Sequence, residues 1–127
     1  MNDDNWIHLM DEWFKNHFLD PLTSVLDEAE FRIDVYETEK EYIVEAFLPN
    51  CQAGDIHIAV KKNLLIIKAF LQDSISSEEK RRTIDFPIAI TQNPIHAVYT
   101  NQILEIFIQK EKQQNYLQSS SVPIQNL

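Results

Sequence analysis

The hydrophobic pattern of the chain changes its period at Phe31, and this change constrains the fold more than any other feature. From Phe31 onward apolar and polar residues alternate, beginning with Phe31-Arg32-Ile33-Asp34-Val35. A period of two places successive side chains on opposite faces of a half-buried strand. Similar short runs occupy residues 42–48, 56–60, 64–67, 84–90, 96–99 and 103–108. Because turns rather than helices separate them, the sequence predicts an all-β, antiparallel sandwich.

Four details of this region are further predictions. Residues 64–67 are apolar at every position, so the strand that they predict is apolar on both faces and central in its sheet. Residues 72–80 are polar and predict a loop, and the basic cluster Lys80-Arg81-Arg82 directly follows two glutamates, as is typical of a solvated loop edge. Pro87 indicates an edge position or a bulge in the next run, because proline has no N–H for the sheet ladder.

The residues before Phe31 follow a helical period instead. An aromatic-rich stripe lies on one face of the predicted helix and consists of Trp6, Ile7, Met10, Trp13, Phe14 and Phe18. The stripe either packs within its own chain as an ordinary amphipathic helix or is buried against another protein. A sandwich already covers both of its inner faces, which favours burial against another protein. The chain thus divides into an amphipathic helical arm at residues 1–29, a sandwich at 30–110 and a flexible tail at 111–127.

The charge balance disfavours two classes of partner. The chain has 11 Lys and Arg residues against 20 Asp and Glu, a formal net charge of −9. Nucleic acids and anionic membranes attract proteins mainly through cations, so neither is expected as a partner. No apolar run approaches the roughly 20 residues of a membrane span, and the acidic start Met1-Asn2-Asp3-Asp4 is unlike a secretory signal. The sequence therefore predicts a cytoplasmic protein without a membrane span.

Catalytic and metal sites are not indicated. Gly54 is the single glycine, whereas phosphate-binding loops and nucleophile elbows need several. The four histidines are dispersed without the compact spacing of metal ligands. Cys51 is the single cysteine and has no basic neighbour that would activate it. We therefore expect no enzyme activity, no metal and no cofactor.

Five segments between Phe31 and Lys110 follow one another in a specific order and spacing. The segments are Asp34-Val35-Tyr36-Glu37-Thr38, Tyr42-Ile43-Val44-Glu45-Ala46-Phe47-Leu48-Pro49, Asp55-Ile56, Asn63-Leu64-Leu65-Ile66-Ile67 and Ala97-Val98-Tyr99-Thr100-Asn101-Gln102-Ile103-Leu104. Together they resemble the alpha-crystallin domain of small heat-shock proteins. Val122-Pro123-Ile124 resembles the C-terminal I/V-x-I/V anchor of this family. Two further segments, Met10-Asp11-Glu12-Trp13-Phe14 and Asn101-Gln102-Ile103-Leu104, are similar to spore-coat members from endospore-forming bacilli. The resemblance implies an immunoglobulin-like sandwich flanked by assembly arms. In this family aromatic-rich N-terminal arms mediate assembly and contact partly unfolded clients, so the stripe is expected to serve assembly first and client contact second.

The same resemblance implies an ATP-independent holdase that forms dimers and higher homo-oligomers and binds partly unfolded client proteins. The alternative is a structural spore-coat protein that uses the same contacts to build a layer with other coat proteins. A monomeric co-chaperone adaptor that shares the sandwich is disfavoured by the anchor and the aromatic arm. In both leading hypotheses Val122, Pro123 and Ile124 are expected to bind a neighbouring subunit, because proline fixes an extended backbone and the flanking side chains point the same way. The residues expected to form the receiving groove are Ile56, Ile58, Val60, Leu65, Ile67 and Val98.

Three departures from the family pattern bear on these expectations. Gln102 stands where the family usually has glycine, so a side chain must either tolerate the turn there or alter it. Asn50 also replaces a usual glycine, which is a milder change because asparagine visits the left-handed region more easily. Many bacterial relatives carry an extra strand in the segment that corresponds to residues 72–80 and swap it into a partner. The loop here is short, which leaves the dimer mode open.

Overall fold

Two β-sheets packed face to face form the body of the protein. A computed structural model describes residues 30–72, 77–113 and 120–126, so the predicted helical arm at residues 1–29 lies outside the described residues. Nine strands and one 3₁₀ turn at Ala53–Asp55 are present in this part of the chain. The strands are β1 Ile33–Glu37, β2 Glu41–Phe47, β3 Ile56–Lys61, β4 Leu64–Gln72, β5 Ser77–Asp85, β6 Ile95–Thr100, β7 Ile103–Gln109, β8 Ser121–Val122 and β9 Ile124–Asn126. Within the described ranges no helix has the length and hydrophobicity of a membrane span.

The strand order shows how the chain alternates between the layers. One sheet has the order β1-β2-β7-β6-β9, and the other has the order β5-β4-β3-β8. All neighbouring pairs are antiparallel except β6 and β9, which run parallel. The antiparallel sandwich predicted from the alternating pattern is therefore confirmed for the central strands, and β4 lies inside its sheet as its apolar sequence predicts.

Alternate residues of the strands point between the sheets and form one continuous core. The largest fully buried side chains of this core are Phe86, Ile33, Leu48, Ile58, Leu65, Ile67, Ile84, Ile90, Leu104, Ile106 and Ile108. The residues between them point outward, so that His57 on β3 and His96 on β6 are both exposed. The period-two pattern thus separates the core face of each strand from its outer face.

The predicted loop at residues 72–80 is wrong in its extent. Strand β4 continues to Gln72 and strand β5 already begins at Ser77, and the two pair from Leu64↔Asp85 to Gln72↔Ser77. Strand β5 lies at the edge of its sheet, where Glu78, Glu79 and Arg81 are exposed to solvent. A polar sequence is compatible with an edge strand because charged side chains discourage unwanted pairing with other chains.

The prediction that Lys80-Arg81-Arg82 forms a solvated loop edge is also wrong. All three residues belong to β5, and Arg82 is only 2% exposed. Its Nη1 atom donates a hydrogen bond of 2.6 Å to the carbonyl oxygen of Phe31, which is itself buried. The guanidinium therefore holds the segment that leads into β1, across the sandwich from its own strand.

The predicted strand at residues 84–90 ends at Asp85 instead. Beyond this point the chain leaves the sheet, yet Phe86 and Ile90 remain buried. Their N–H groups donate to the carbonyl oxygens of Asn63 and Lys62 (both 2.9 Å), in the turn between β3 and β4. The alternation of apolar residues here reflects a segment that packs against this turn rather than a strand in a sheet.

The tight turns place four non-glycine residues at positive φ: Asn50, Lys62, Asn101 and Gln102. Gln102 has a φ of 69°, and its carbonyl oxygen accepts a hydrogen bond of 2.8 Å from the N–H of Leu48. The turn between β6 and β7 thus keeps a left-handed geometry despite the side chain. Asn50, with a φ of 62°, does the same after β2.

Candidate functional site

The C-terminal segment lies in a groove between the open edges of the two sheets. Strand β8 pairs antiparallel with β3, through Ile58↔Val122 and Ala59↔Ser121. The N–H of Val60 also donates to the carbonyl oxygen of Ser120 at 2.9 Å. After Pro123, strand β9 pairs parallel with β6 in the other sheet. The tail therefore crosses from one sheet to the other and covers an edge of each.

Two side chains of the tail enter the core from this groove. Val122 is 3% exposed and belongs to the core cluster, while Ile124 is half-buried and packs against that cluster. They lie two residues apart in an extended segment, so both point toward the interior. Pro123 between them is exposed, and its missing N–H leaves no unpaired donor at the crossing point. The segment thus combines main-chain pairing with two apolar anchors.

The six residues predicted to receive the tail lie at different depths. Ile56, Ile58 and Val60 are buried on β3, the strand that pairs with β8. Leu65 and Ile67 lie one strand further in, on β4, where they pair with Val60 and Ile58 and are fully buried. The structure thus brings Ile58 and Val60 directly against the tail, with Leu65 and Ile67 behind them.

Val98, the sixth predicted residue, pairs with Gln125 on the outer side of β6. Its buried neighbours Ala97 and Tyr99 face the core, and Ala97 stands opposite Ile124. Within this chain Ile124 therefore stands opposite Ala97, on the inward side of β6. The role of Val98 in receiving the tail of a neighbouring subunit stays a prediction.

Tyr99 and Cys51 form a hydrogen-bonded pair near this groove. The Tyr99 hydroxyl donates to the carbonyl oxygen of Leu48 at 2.6 Å and lies 3.0 Å from that of Cys51. Burial, reinforced by Cys51 and by the charge of Asp55, raises the pKa of Tyr99 to about 12. Burial also raises the pKa of the Cys51 thiol, whose Sγ atom is 3.3 Å from the Leu48 carbonyl oxygen. The thiol is therefore held in its neutral form, which is a poor nucleophile.

In the described ranges the titratable side chains form no metal site, and one of them protects the edge strand β5. No group of three or more His, Cys, Asp or Glu residues in the described ranges is arranged to hold a metal ion. On the edge strand β5, the N–H of Arg81 donates to the carboxylate of Glu30 at 3.0 Å. A side chain thus covers one of the outward N–H groups that an edge strand otherwise offers to another chain. The aromatic stripe from Trp6 to Phe18 and the histidines His8 and His17 lie outside the described residues.

No family model matches this chain. Small heat shock protein C2 of Rickettsia felis, however, is 30% identical over 121 residues, which cover 84% of this chain and 77% of the relative. The chain belongs to the small heat shock protein family. Spore coat protein M of Bacillus subtilis is also similar to this small heat shock protein, with 29% identity over 125 residues, 97% of this chain and 90% of the relative. Both resemblances predicted from the sequence are confirmed.

The solved structures support the same fold. A small heat-shock protein from Xylella fastidiosa matches with a TM-score of 0.56 and 21% identity, over 69% of this chain and 92% of that one. Heat shock protein 16.0 from Schizosaccharomyces pombe matches with a TM-score of 0.55 and 18% identity, over 68% and 72% of the two chains. The two-sheet body of this small heat shock protein is therefore the alpha-crystallin-type sandwich.

Proposed function

We propose that this small heat shock protein is an ATP-independent holdase that self-assembles and binds the exposed apolar surface of unfolding proteins. The observation that carries this proposal is the groove between the two sheets, which accepts a short apolar segment by main-chain pairing and two buried side chains. An unfolding protein exposes segments with the same two properties, namely unpaired backbone and apolar side chains. Binding such a segment uses only surface burial and hydrogen bonds, and therefore needs no nucleotide.

Assembly follows from the same contacts when the tail occupies a neighbouring subunit instead of its own. Residues 114–119 connect the sandwich to the tail, and seven peptide steps from Gln113 to Ser120 span at most about 25 Å. A neighbour must therefore present its groove within that reach, which restricts tail exchange to closely packed subunits. Burial of the Val122 side chain alone contributes roughly 1.5–3 kcal/mol to docking. The aromatic stripe of residues 1–29 supplies the second set of assembly and client contacts in this proposal.

The decisive experiment measures aggregation of a heat-labile client without ATP, near equal subunit ratio. We expect the wild-type protein to suppress light scattering.

We expect Val122→Ala combined with Ile124→Ala to reduce the oligomer mass measured by light scattering after size exclusion, because both anchors are shortened. Gln125→Ala is the matched control, since this exposed tail residue points away from the groove. An unchanged mass for the double variant would contradict the role of the tail in assembly.

A structural role in the spore coat is the second candidate function. The similarity to spore coat protein M favours it, because that similarity covers 97% of this chain rather than the sandwich alone. In this case the protein is located in the coat, whereas the holdase acts in the cytoplasm. A folded, self-associating protein that fails to suppress client aggregation would favour the coat role. The tail and groove would then serve to link subunits into a layer.

A further inference from the structure

The outer face of the five-stranded sheet carries three rows of side chains that run across its strands. Cross-strand partners define the rows. The first row is mainly apolar and contains Tyr36, Ile43, Phe107 and His96. The middle row contains three carboxylates, Asp34, Glu45 and Glu105, and ends at Val98, which pairs with Glu105. The third row contains the apolar residues Phe47 and Ile103 and ends at the half-buried Thr100, which pairs with Ile103.

The carboxylates of the middle row stand directly opposite one another in neighbouring strands. Asp34 pairs in register with Glu45, and Glu45 with Glu105, although like charges in this arrangement destabilise a sheet. Arg32 compensates one of them, with its Nε atom 3.3 Å from Asp34 Oδ2. Glu45 and Glu105 are half-buried, and their carboxylates form no hydrogen bond or ion pair within the described part of the chain. Two adjacent carboxylates are thus left without a cation.

The first and third rows expose hydrophobic side chains to solvent. Tyr36, Phe47 and Ile103 are 43%, 48% and 40% exposed, and they are three of the four exposed large hydrophobic side chains in the described ranges. Beside Phe107 and His96, a shallow groove of about 440 Å³ runs to Ile95 and Pro94. The rings of Phe107 and His96 are stacked with centroids 6.3 Å apart, which fixes one wall of this groove.

The spacing between the rows determines which extended peptide segment can bind across them. Residues two apart along a strand are roughly 6.8 Å apart, so each apolar row lies about that distance from the carboxylates. An extended segment that lies along the strands places its own residues i−2, i and i+2 at the same spacing on one side. A lysine or arginine at i, with apolar residues at i−2 and i+2, therefore matches all three rows at once.

The acidic row argues against coverage by this chain itself. The arm at residues 1–29 contains seven Asp and Glu residues but a single lysine, so it would bring more negative charge to Glu45 and Glu105. A second copy that docked through the same face would bring its own Glu45 and Glu105 against these carboxylates. Charge complementarity instead selects a basic partner.

We propose that the outer face of the five-stranded sheet binds extended, cationic segments of unfolding proteins with the pattern apolar–x–Lys/Arg–x–apolar. This proposal rests on the proposed holdase function and names one class of its clients, bound at a site separate from the tail groove. Glu45 and Glu105 pair with the cation, while Phe47 and Ile103 on one side and Ile43 and Phe107 on the other pack against the apolar residues.

A binding experiment with short peptides tests the site. The probe is a fluorescent peptide with alternating Leu-Ser-Lys-Ser-Leu order, and its controls are the same peptide with Glu in place of Lys and a scrambled peptide of equal composition. We expect Glu45→Gln combined with Glu105→Gln to weaken binding of the probe about tenfold at low salt and to remove most of its salt dependence. The double variant removes a like-charge pair, so its urea midpoint should be at least as high as that of the wild type.

The matched control is Glu78→Gln combined with Glu79→Gln, which makes the same charge change on the edge strand of the other sheet. Binding of the probe to this control should change less than twofold. Equal weakening by both double variants would mean that only the net charge matters and would overturn the proposal. Equal affinity for the probe and the scrambled peptide would overturn the geometric match.

Two client proteins separate this proposal from the holdase function. If the binding site and the holdase function are both correct, the wild type suppresses aggregation of an acidic and of a basic heat-labile client. The variant Glu45→Gln with Glu105→Gln then weakens suppression of the basic client alone. If the double variant suppresses both clients as well as the wild type does, the outer face is not the client site and the holdase function stands. If the wild type suppresses neither client but binds the probe at this face, the holdase function fails while the binding site stands.

Discussion

Two consecutive arginines on strand β5 offer a direct test of how the sandwich is held together. Arg82 is 2% exposed and donates to the carbonyl oxygen of Phe31, whereas the Arg81 side chain lies in solvent. Arg82→Ala leaves the buried Phe31 carbonyl without this donor, which costs about 1–3 kcal/mol. It also removes the buried methylene stem, and relief of the desolvated charge offsets part of that loss. We expect a net loss of roughly 3 kcal/mol in the free energy of unfolding.

Urea and thermal unfolding at a fixed protein concentration measure this loss. For a domain of this size about 3 kcal/mol corresponds to a decrease of roughly 10 °C in Tm. Arg81→Ala should change the free energy of unfolding by less than about 0.5 kcal/mol, because the Glu30 carboxylate binds its backbone N–H rather than its side chain. The free energy of unfolding of Arg82→Met, which keeps an apolar stem, should lie between those of Arg82→Ala and Arg81→Ala.

Hydrogen exchange adds a local test of the same contact. In Arg82→Ala the amides at the start of β1 should exchange faster, because the segment that leads into this strand is no longer held by the guanidinium. Equal unfolding midpoints for Arg82→Ala and Arg81→Ala would refute the reasoning. Such a result would mean that the buried guanidinium contributes no more than its exposed neighbour.

Two further predictions concern Tyr99 and Gln102. The unfolded chain ionises tyrosine near pH 10, whereas folded Tyr99 keeps its proton to about pH 12, so stability that is fully present below pH 10 should be lost as the pH rises toward 12. Alkaline unfolding curves should therefore be steeper for the wild type than for Tyr99→Phe, and equal slopes would exclude Tyr99 as the titrating group. Gln102→Gly should raise the free energy of unfolding by about 1 kcal/mol, because φ at this position is 69° and glycine removes the left-handed penalty. Gln109→Gly, in the regular strand β7, is the control and should lower it; a lower stability for Gln102→Gly would contradict the proposed backbone strain.

The strands that periodicity predicts most directly are those with one solvent-facing and one buried face. In β2 and β7 the alternation of Val44 or Ile106 with charged residues reflects the burial pattern directly, so periodicity suffices. Periodicity does not identify strand β5, because it is an edge strand with charged residues on both faces and the composition of a loop. Periodicity does not predict the burial of Arg82 either, since the carbonyl group that accepts its hydrogen bond lies 51 residues away in the sequence.

For the candidate site, the sequence indicates strands rather than single side chains. It predicts that residues of β3, β4 and β6 receive a neighbouring subunit's tail, and within this chain β3 and β6 pair with the tail. Which residue of β6 stands opposite Ile124 depends on the register, which places Ala97 there. The three carboxylates of the outer face become neighbours only when the register of three strands is known. Sequence spacing alone does not contain that register.

The short connection between the sandwich and its tail has a consequence for the concentration dependence of assembly. A tail tethered by residues 114–119 meets its own groove at an effective concentration in the millimolar range. Free subunits at micromolar concentration therefore compete poorly for that groove. Once two subunits lie side by side, each tail reaches both grooves at similar effective concentration, and exchange between them costs little. Tail exchange should thus stabilise assemblies that other contacts have already begun, rather than initiate them.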